Sequence, residues 1–174
     1  MKIKGLVEYD ICNYSKPSMF IIFPKCSFKC DRECGMTVCQ NSHLANEPEI
    51  EISTEEIVER YLSNPLTHAF VFGGLEPFDS MESLLPLINC IRIKYKCDDD
   101  IVIYTGYTEE EFAKKGTILA DYYQCICKFY KNIIIKFGRF QPNQEHHFDE
   151  ILGVELASPN QYAKRITGEN LDEN

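Results

Sequence analysis

Positive charge is scarce in this sequence: 18 Lys and Arg stand against 27 Asp and Glu, a formal net charge of −9 over 174 residues. Binding to a phosphate backbone draws on counterion release by clustered cations. The balance therefore argues against nucleic acid or an anionic membrane as partner, and the excess acid reads as a solubilising surface. Long apolar runs are missing as well. The longest near the start, Met19 to Phe23, falls far short of a bilayer span, which takes about 20 residues. No basic stretch leads into an apolar run and a small-residue cleavage site, so the sequence predicts no secretory signal and a cytoplasmic location. Internal repeats, linkers and low-complexity tracts are absent too. The length suits a single domain over residues 1–174, since domains run roughly 100 to 200 residues.

What the chain has is apolar mass and cysteine. With 44% hydrophobic residues, ten Tyr and eleven Phe among them, it can bury a sizeable core rather than stay disordered. Nine cysteines are an odd number for a disulfide scaffold, and a reducing compartment disfavours one. Metal ligation or catalysis is the better account of any tight cysteine cluster.

Periodicity gives alternating strands and helices. Met19 to Pro24 is a short apolar run of strand length that delivers the chain to Cys26. Ser53 with Glu56 forms a capping box, and Ile57, Val58, Tyr61 and Leu62 follow at helical spacing until Asn64-Pro65. His68 to Phe72 reads as a second buried strand ending in Gly73-Gly74. Asp79 with Glu82 offers another cap, for a largely apolar helix through Ile93 that Pro86 could kink. Ile101 to Tyr104 is a third strand closed by Thr105-Gly106-Tyr107, Thr108 with Glu111 caps the next helix, and Asn132 to Phe137 is a fourth strand. Such alternation predicts an α/β fold with mostly parallel strands and right-handed crossovers. Loops following parallel strands carry the site, and here the cysteine loop follows the first core strand. A full βα barrel takes about 250 residues, so the chain can build only a partial, open one. The end of the chain, 168–174, reads as a frayed, solvated tail.

Cys26, Cys30, Cys34 and Cys39 lie within one segment, followed by Asn41. Soft thiolates suit zinc or an iron–sulfur cluster. Spacing alone leaves both open, although zinc ribbons pair their ligands in two separated knuckles rather than in one loop. Lys25 and Lys29 could favour thiolate ionisation or could be ordinary loop charges. Cys90, on a Leu- and Ile-rich helix, reads as a small hydrophobe. Cys97, Cys125 and Cys127 form no second ligand-spaced group, Cys12 has no assigned role, and His146-His147 reads as a solvated polar pair.

Several segments, in order, resemble the radical S-adenosylmethionine enzymes and, among them, the activating proteins of anaerobic ribonucleotide reductase. Cys26 and Cys30 match the first pair of the family's C-x3-C-x2-C loop, and Cys39-Gln40-Asn41 is similar to its closing Cys-x-Asn step. Phe72-Gly73-Gly74-Leu75-Glu76-Pro77 resembles the Gly-Gly-Glu-Pro stretch with Leu75 inserted. Ile103 to Thr108 is similar to the Tyr-Thr-Gly-Tyr-Thr segment. Gly138-Arg139-Phe140 and Ser158-Pro159-Asn160-Gln161 resemble the closing motifs. The likeness covers a core of about 18–162. Two departures stand out. The segment between Cys30 and Cys39 is longer than the family's, so Cys34 could replace Cys39 as third ligand, and the Asn41 step favours Cys39. Ile133, Lys136 and Phe137 stand where the family carries acidic residues.

The resemblance implies an oxidoreductase that holds a 4Fe-4S cluster on Cys26, Cys30 and Cys39. Three thiolates leave one iron open, and in this family that iron takes the amino and carboxylate groups of S-adenosylmethionine. Asn41, Gly73, Gly74, Glu76, Thr105 and Gly106 are the implied cofactor-binding residues, with Glu76 as acceptor for the ammonium. The implied reaction is reductive cleavage to a 5'-deoxyadenosyl radical that installs a glycyl radical on a large partner, anaerobic ribonucleotide reductase. An electron donor such as flavodoxin or ferredoxin would feed the cluster. The alternatives are a radical enzyme acting on a peptide or small molecule and a non-catalytic zinc-binding module.

Overall fold

A computed structural model describes residues 1–166; the tail expected over 168–174 lies outside the described residues. The described residues form ten strands: β1 (Lys2–Ile3), β2 (Gly5–Asp10), β3 (Ser18–Phe23), β4 (Ile50–Glu51), β5 (Ala69–Gly74), β6 (Asp100–Tyr104), β7 (Ile133–Phe137), β8 (His147–Asp149), β9 (Val154–Leu156) and β10 (Tyr162–Ile166). Six of them build the main sheet in the order β10-β7-β6-β5-β3-β2. The central four, β3, β5, β6 and β7, run parallel, and β2 and β10 close the two ends antiparallel. The fold is therefore α/β on a mostly parallel sheet.

The near-continuous apolar strands follow from burial on both faces, as parallel sheets require. The faces differ in what they bury. Met19, Ile21, Phe23, Phe70, Phe72, Ile101, Ile103, Ile133, Ile135 and Phe137 point to one core, together with every buried apolar helix residue but Ala120. These come from α2 (Thr54–Ser63), α3 (Met81–Asn89), α4 (Glu109–Phe112) and α5 (Ile118–Phe129), where Tyr61 stacks on Phe70 at 3.8 Å. The opposite face carries Ala69, Val71, Gly73, Val102 and Ile134, with Phe20 and Tyr104 beside them, covered by Tyr14, Leu152 and Leu156. Helices α2 to α5 thus pack on one side of the sheet.

Local differences from the sequence reading have simple causes. Asp79 does not cap α3; Ser80 stands at that N-cap without a side-chain bond, because the Asp79 carboxylate is taken by Ser27 N–H at 2.6 Å and the Tyr107 hydroxyl at 2.6 Å. Pro86 sits inside α3 without ending it. A wider π-helical turn, Cys90–Lys94, follows and leaves Ile93 exposed. The helix begun at Thr108, with both halves of its capping box formed, stops after one turn, and Thr117 starts α5 afresh.

Candidate metal and cofactor site

Because β3, β5, β6 and β7 are adjacent and parallel, their four exits meet at one edge. Glu76 ties three of them together. Its backbone N–H donates to Lys25 O at 2.8 Å, and its carboxylate accepts from Thr105 Oγ1 at 2.8 Å, Gly106 N–H at 2.8 Å and Phe78 N–H at 3.2 Å. Burial pushes this carboxyl up to about 7 against those three donors. Thr105 spends its hydroxyl on this clasp and on the Tyr107 N–H.

The cysteine segment leaves β3 through Pro24 and turns into a short helix, α1 (Lys29–Cys34). Beyond α1 the chain is drawn back by Asp31, whose Oδ1 accepts the N–H groups of Val38 and Cys39, both at 2.8 Å. This return is the physical content of the long Cys30 to Cys39 interval: the extra residues make a loop that ends with Cys39 against Cys30. Burial, and then the adjacent Cys39 thiol, pushes Cys30 up to about 12. Burial likewise pushes Cys26 up to about 11, with the Phe28 N–H on its sulfur at 3.2 Å working the other way. Cys34 is on the outer side of α1, exposed.

A cavity of about 590 Å³ opens at this edge, within the 300 to 1,000 Å³ of ordinary ligand sites. Cys26, Cys30, Cys39, Asn41, Gly74, Glu76, Thr105 and Gly106 all line it, whereas Gly73 and Cys34 do not. Gly73 is set back, with the Phe20 ring and Tyr104 Cβ over its Cα. Asn41 reaches across to donate to Gly74 O at 2.7 Å, so it ties the cysteine loop to the β5 exit. Neither Lys25 nor Lys29 is paired with a thiol: Lys25 is paired with Glu82, and Lys29 with Glu111 at 3.0 Å while sitting 4.0 Å over the Tyr107 ring.

Sequence reasoning missed two further kinds of residue here. Cys12, on the loop after β2, lines the same cavity. Lys136 projects from β7 into it; burial pushes its ammonium down to about 8, and its Nζ donates to Gly138 O at 2.9 Å. The switch from apolar residues to Lys on the cavity face of β7 was the available signal.

The donor set fits an iron–sulfur cluster. Cys26 and Cys30, half-buried at the cavity wall, resist ionising, and bound iron would relieve that resistance. Among the described residues no three Cys, His, Asp or Glu side chains converge closely enough for one metal ion; a four-iron cube presents its irons at separate corners. If Asp31 sets the position of Cys39, Asp31→Ala should weaken iron retention about tenfold, since hydrogen bonds to a charged group contribute about 1.5–3 kcal/mol. Chelator competition followed by iron assay checks this, and unchanged retention would remove Asp31 from the account.

No helix among the described residues is long and apolar enough to cross a membrane. No curated protein and no solved structure matches the chain. A family model described as a 4Fe-4S single cluster domain matches residues 18–153, from the first residue of β3 to the turn before β9. The match spans most of the chain and includes the cysteine loop and the exits of β3, β5, β6 and β7, so the protein belongs to the 4Fe-4S single cluster domain family.

Proposed function

We propose that the protein is a radical S-adenosylmethionine enzyme that installs a glycyl radical on a larger partner, anaerobic ribonucleotide reductase being the expected one. The observation that carries this reading is that three thiols of the cysteine loop, Cys26, Cys30 and Cys39, line one cavity while Cys34, exposed, does not. Cys26, Cys30 and Cys39 would hold the cluster with three thiolates, which would leave one iron free to take another ligand. When bound and reduced, the cluster supplies the electron that breaks a carbon–sulfur bond of the sulfonium, leaving methionine and a deoxyadenosyl radical.

The chain's own residues supply binding and orientation. Lys136, buried with one of its three donors spent on Gly138 O, suits an anionic group such as the cofactor carboxylate. The Glu76 carboxylate has taken three protein donors and keeps room for about one more, enough for an ammonium at the rim. Helices cover one face of the mostly parallel sheet, and the cavity lies at the strand exits; on this reading the sheet serves as the wall of a partial, open barrel. Such an opening would admit a loop of another protein.

The test uses anaerobically reconstituted protein. Reduced by dithionite or a flavodoxin-type donor, it should cleave S-adenosylmethionine. With the candidate reductase present it should then give a doublet in the electron paramagnetic resonance spectrum that collapses with α-deuterated glycine. Cleavage without any protein radical would transfer the reading to a peptide or small-molecule substrate. Stoichiometric zinc with no iron taken up would end it.

A further inference from the structure

No residue from 25 to 51 is buried. The cysteine segment therefore has no hydrophobic anchor, and α1, six residues long with no buried side chain, is far below the length at which a helix is stable alone, about 12–15 residues. Something polar must hold it over the strand exits. Two of its side chains are engaged from outside. Lys29 pairs with Glu111 Oε1 at 3.0 Å, and Glu33 lies 3.2 Å from Arg139 Nε, an ion pair without hydrogen-bond alignment. Arg139 and Glu111 are themselves joined, with Arg139 NH2 at 2.6 and 2.8 Å from the two carboxylate oxygens. The Arg139 side chain is only 11% exposed, so this pair is less screened than a surface one. The Glu33 contact, at 60% exposure, contributes little by itself.

Arg139 is fixed in turn from behind. Gly138 has φ +94°, and a Cβ there would overlap Asn160 O. Asn160 Nδ2 donates to Arg139 O at 2.8 Å and Gln161 Nε2 to Gly138 O at 3.3 Å. A polar chain thus runs from Asn160-Gln161 through Gly138-Arg139 and Glu111 to Lys29, the residue before Cys30. We infer that Arg139 is a positioning residue for the cysteine helix: through Glu111 it holds α1, and with it Cys30, in place over the strand exits, before metal arrives and after. This rests on Cys30 being a cluster ligand, as proposed above, only for its consequence in the loaded protein.

The test has a metal-free and a loaded arm, both on the full chain. In metal-free protein, Arg139→Met should raise amide hydrogen exchange across residues 29–34 about tenfold, as expected for loss of a partly buried charge-assisted pair. Exchange in β3, β5 and β6 should stay unchanged, a selectivity that a general structural role would not give. Arg139→Lys, which keeps a point charge without the fork, should fall between. Arg60→Met, which removes a surface ion pair on α2, should have no effect on residues 29–34. After reconstitution, Arg139→Met should lose iron to a chelator about tenfold faster. If Arg139→Met fails to fold, Glu111→Gln serves instead, because Gln preserves the capping box with Thr108 while removing the charge. Unchanged exchange in residues 29–34 of the metal-free variants overturns the inference. Failure of the unaltered protein to take up iron would overturn the cluster proposal instead and leave the metal-free arm decisive.

Discussion

Cys39→Ala is expected to abolish iron and sulfide binding, while Cys34→Ala leaves it near the level of the unaltered protein. Both thiols fall within the family's cysteine loop, and spacing by itself would let either be third ligand. The difference lies in where Asp31 sends the chain. Its carboxylate accepts two successive N–H groups, from Val38 and Cys39, and so folds the loop back until Cys39 joins Cys26 and Cys30 at the cavity. Cys34, on the outer side of α1, has the exposed position. Removing one of three thiolates takes away a third of the protein's hold on the cluster, and a cluster with two protein ligands does not survive chelation. Iron and acid-labile sulfide per chain, measured after anaerobic reconstitution and desalting, read the result. Retention of the full complement in Cys39→Ala, with loss in Cys34→Ala, would reverse the assignment. Full retention in both would bring in Cys12, the other thiol on the cavity wall.

The core strands were legible because burial on both faces leaves runs such as Phe70 to Phe72 and Ile101 to Ile103 with no competing pattern. Of the main sheet's strands, the two that were missed are its outer ones. In β2, Val7 and Tyr9 are exposed, and in β10 Lys164 and Arg165 are, so each reads as loop until its neighbour is known. The cysteine loop, the Gly-Gly exit and the Thr-Gly-Tyr exit could be read as separate pieces, and the parallel order explains why they meet. What no local pattern carries is the polar joinery between them. Asp79 has the spacing of a helix cap, yet it bonds Ser27 and Tyr107. Glu111 does cap α4, yet its second function depends on Arg139, which follows another strand. Such pairs are created by sheet register, because adjacent parallel strands bring their exits together regardless of sequence separation.

Gly74→Val should destabilise the metal-free protein by about 3 kcal/mol or more, the sum of a strained backbone and a forced contact. Gly74 lies in the left-handed region at φ +78°, and a Cβ there would run into Ile22 Cγ2 on the neighbouring strand. A β-branched side chain is the poorest tenant of that region. The family resemblance implied a different reason for the glycine, as a cofactor-binding residue. The structure places the obstruction inside the sheet, and it gives the Gly74 carbonyl a further duty as acceptor for Asn41, so a shift there pulls on the cysteine loop as well. Gly74→Ala should cost less, since it keeps the φ penalty with a smaller overlap, and both should lower the denaturant midpoint of the metal-free chain before any iron is added. A Val variant as stable as the unaltered protein, loaded with cluster yet unable to cleave S-adenosylmethionine, would return the glycine to the cofactor. Loss of stability and iron together would place its necessity in the backbone turn that lets β5 deliver Glu76 to the other exits.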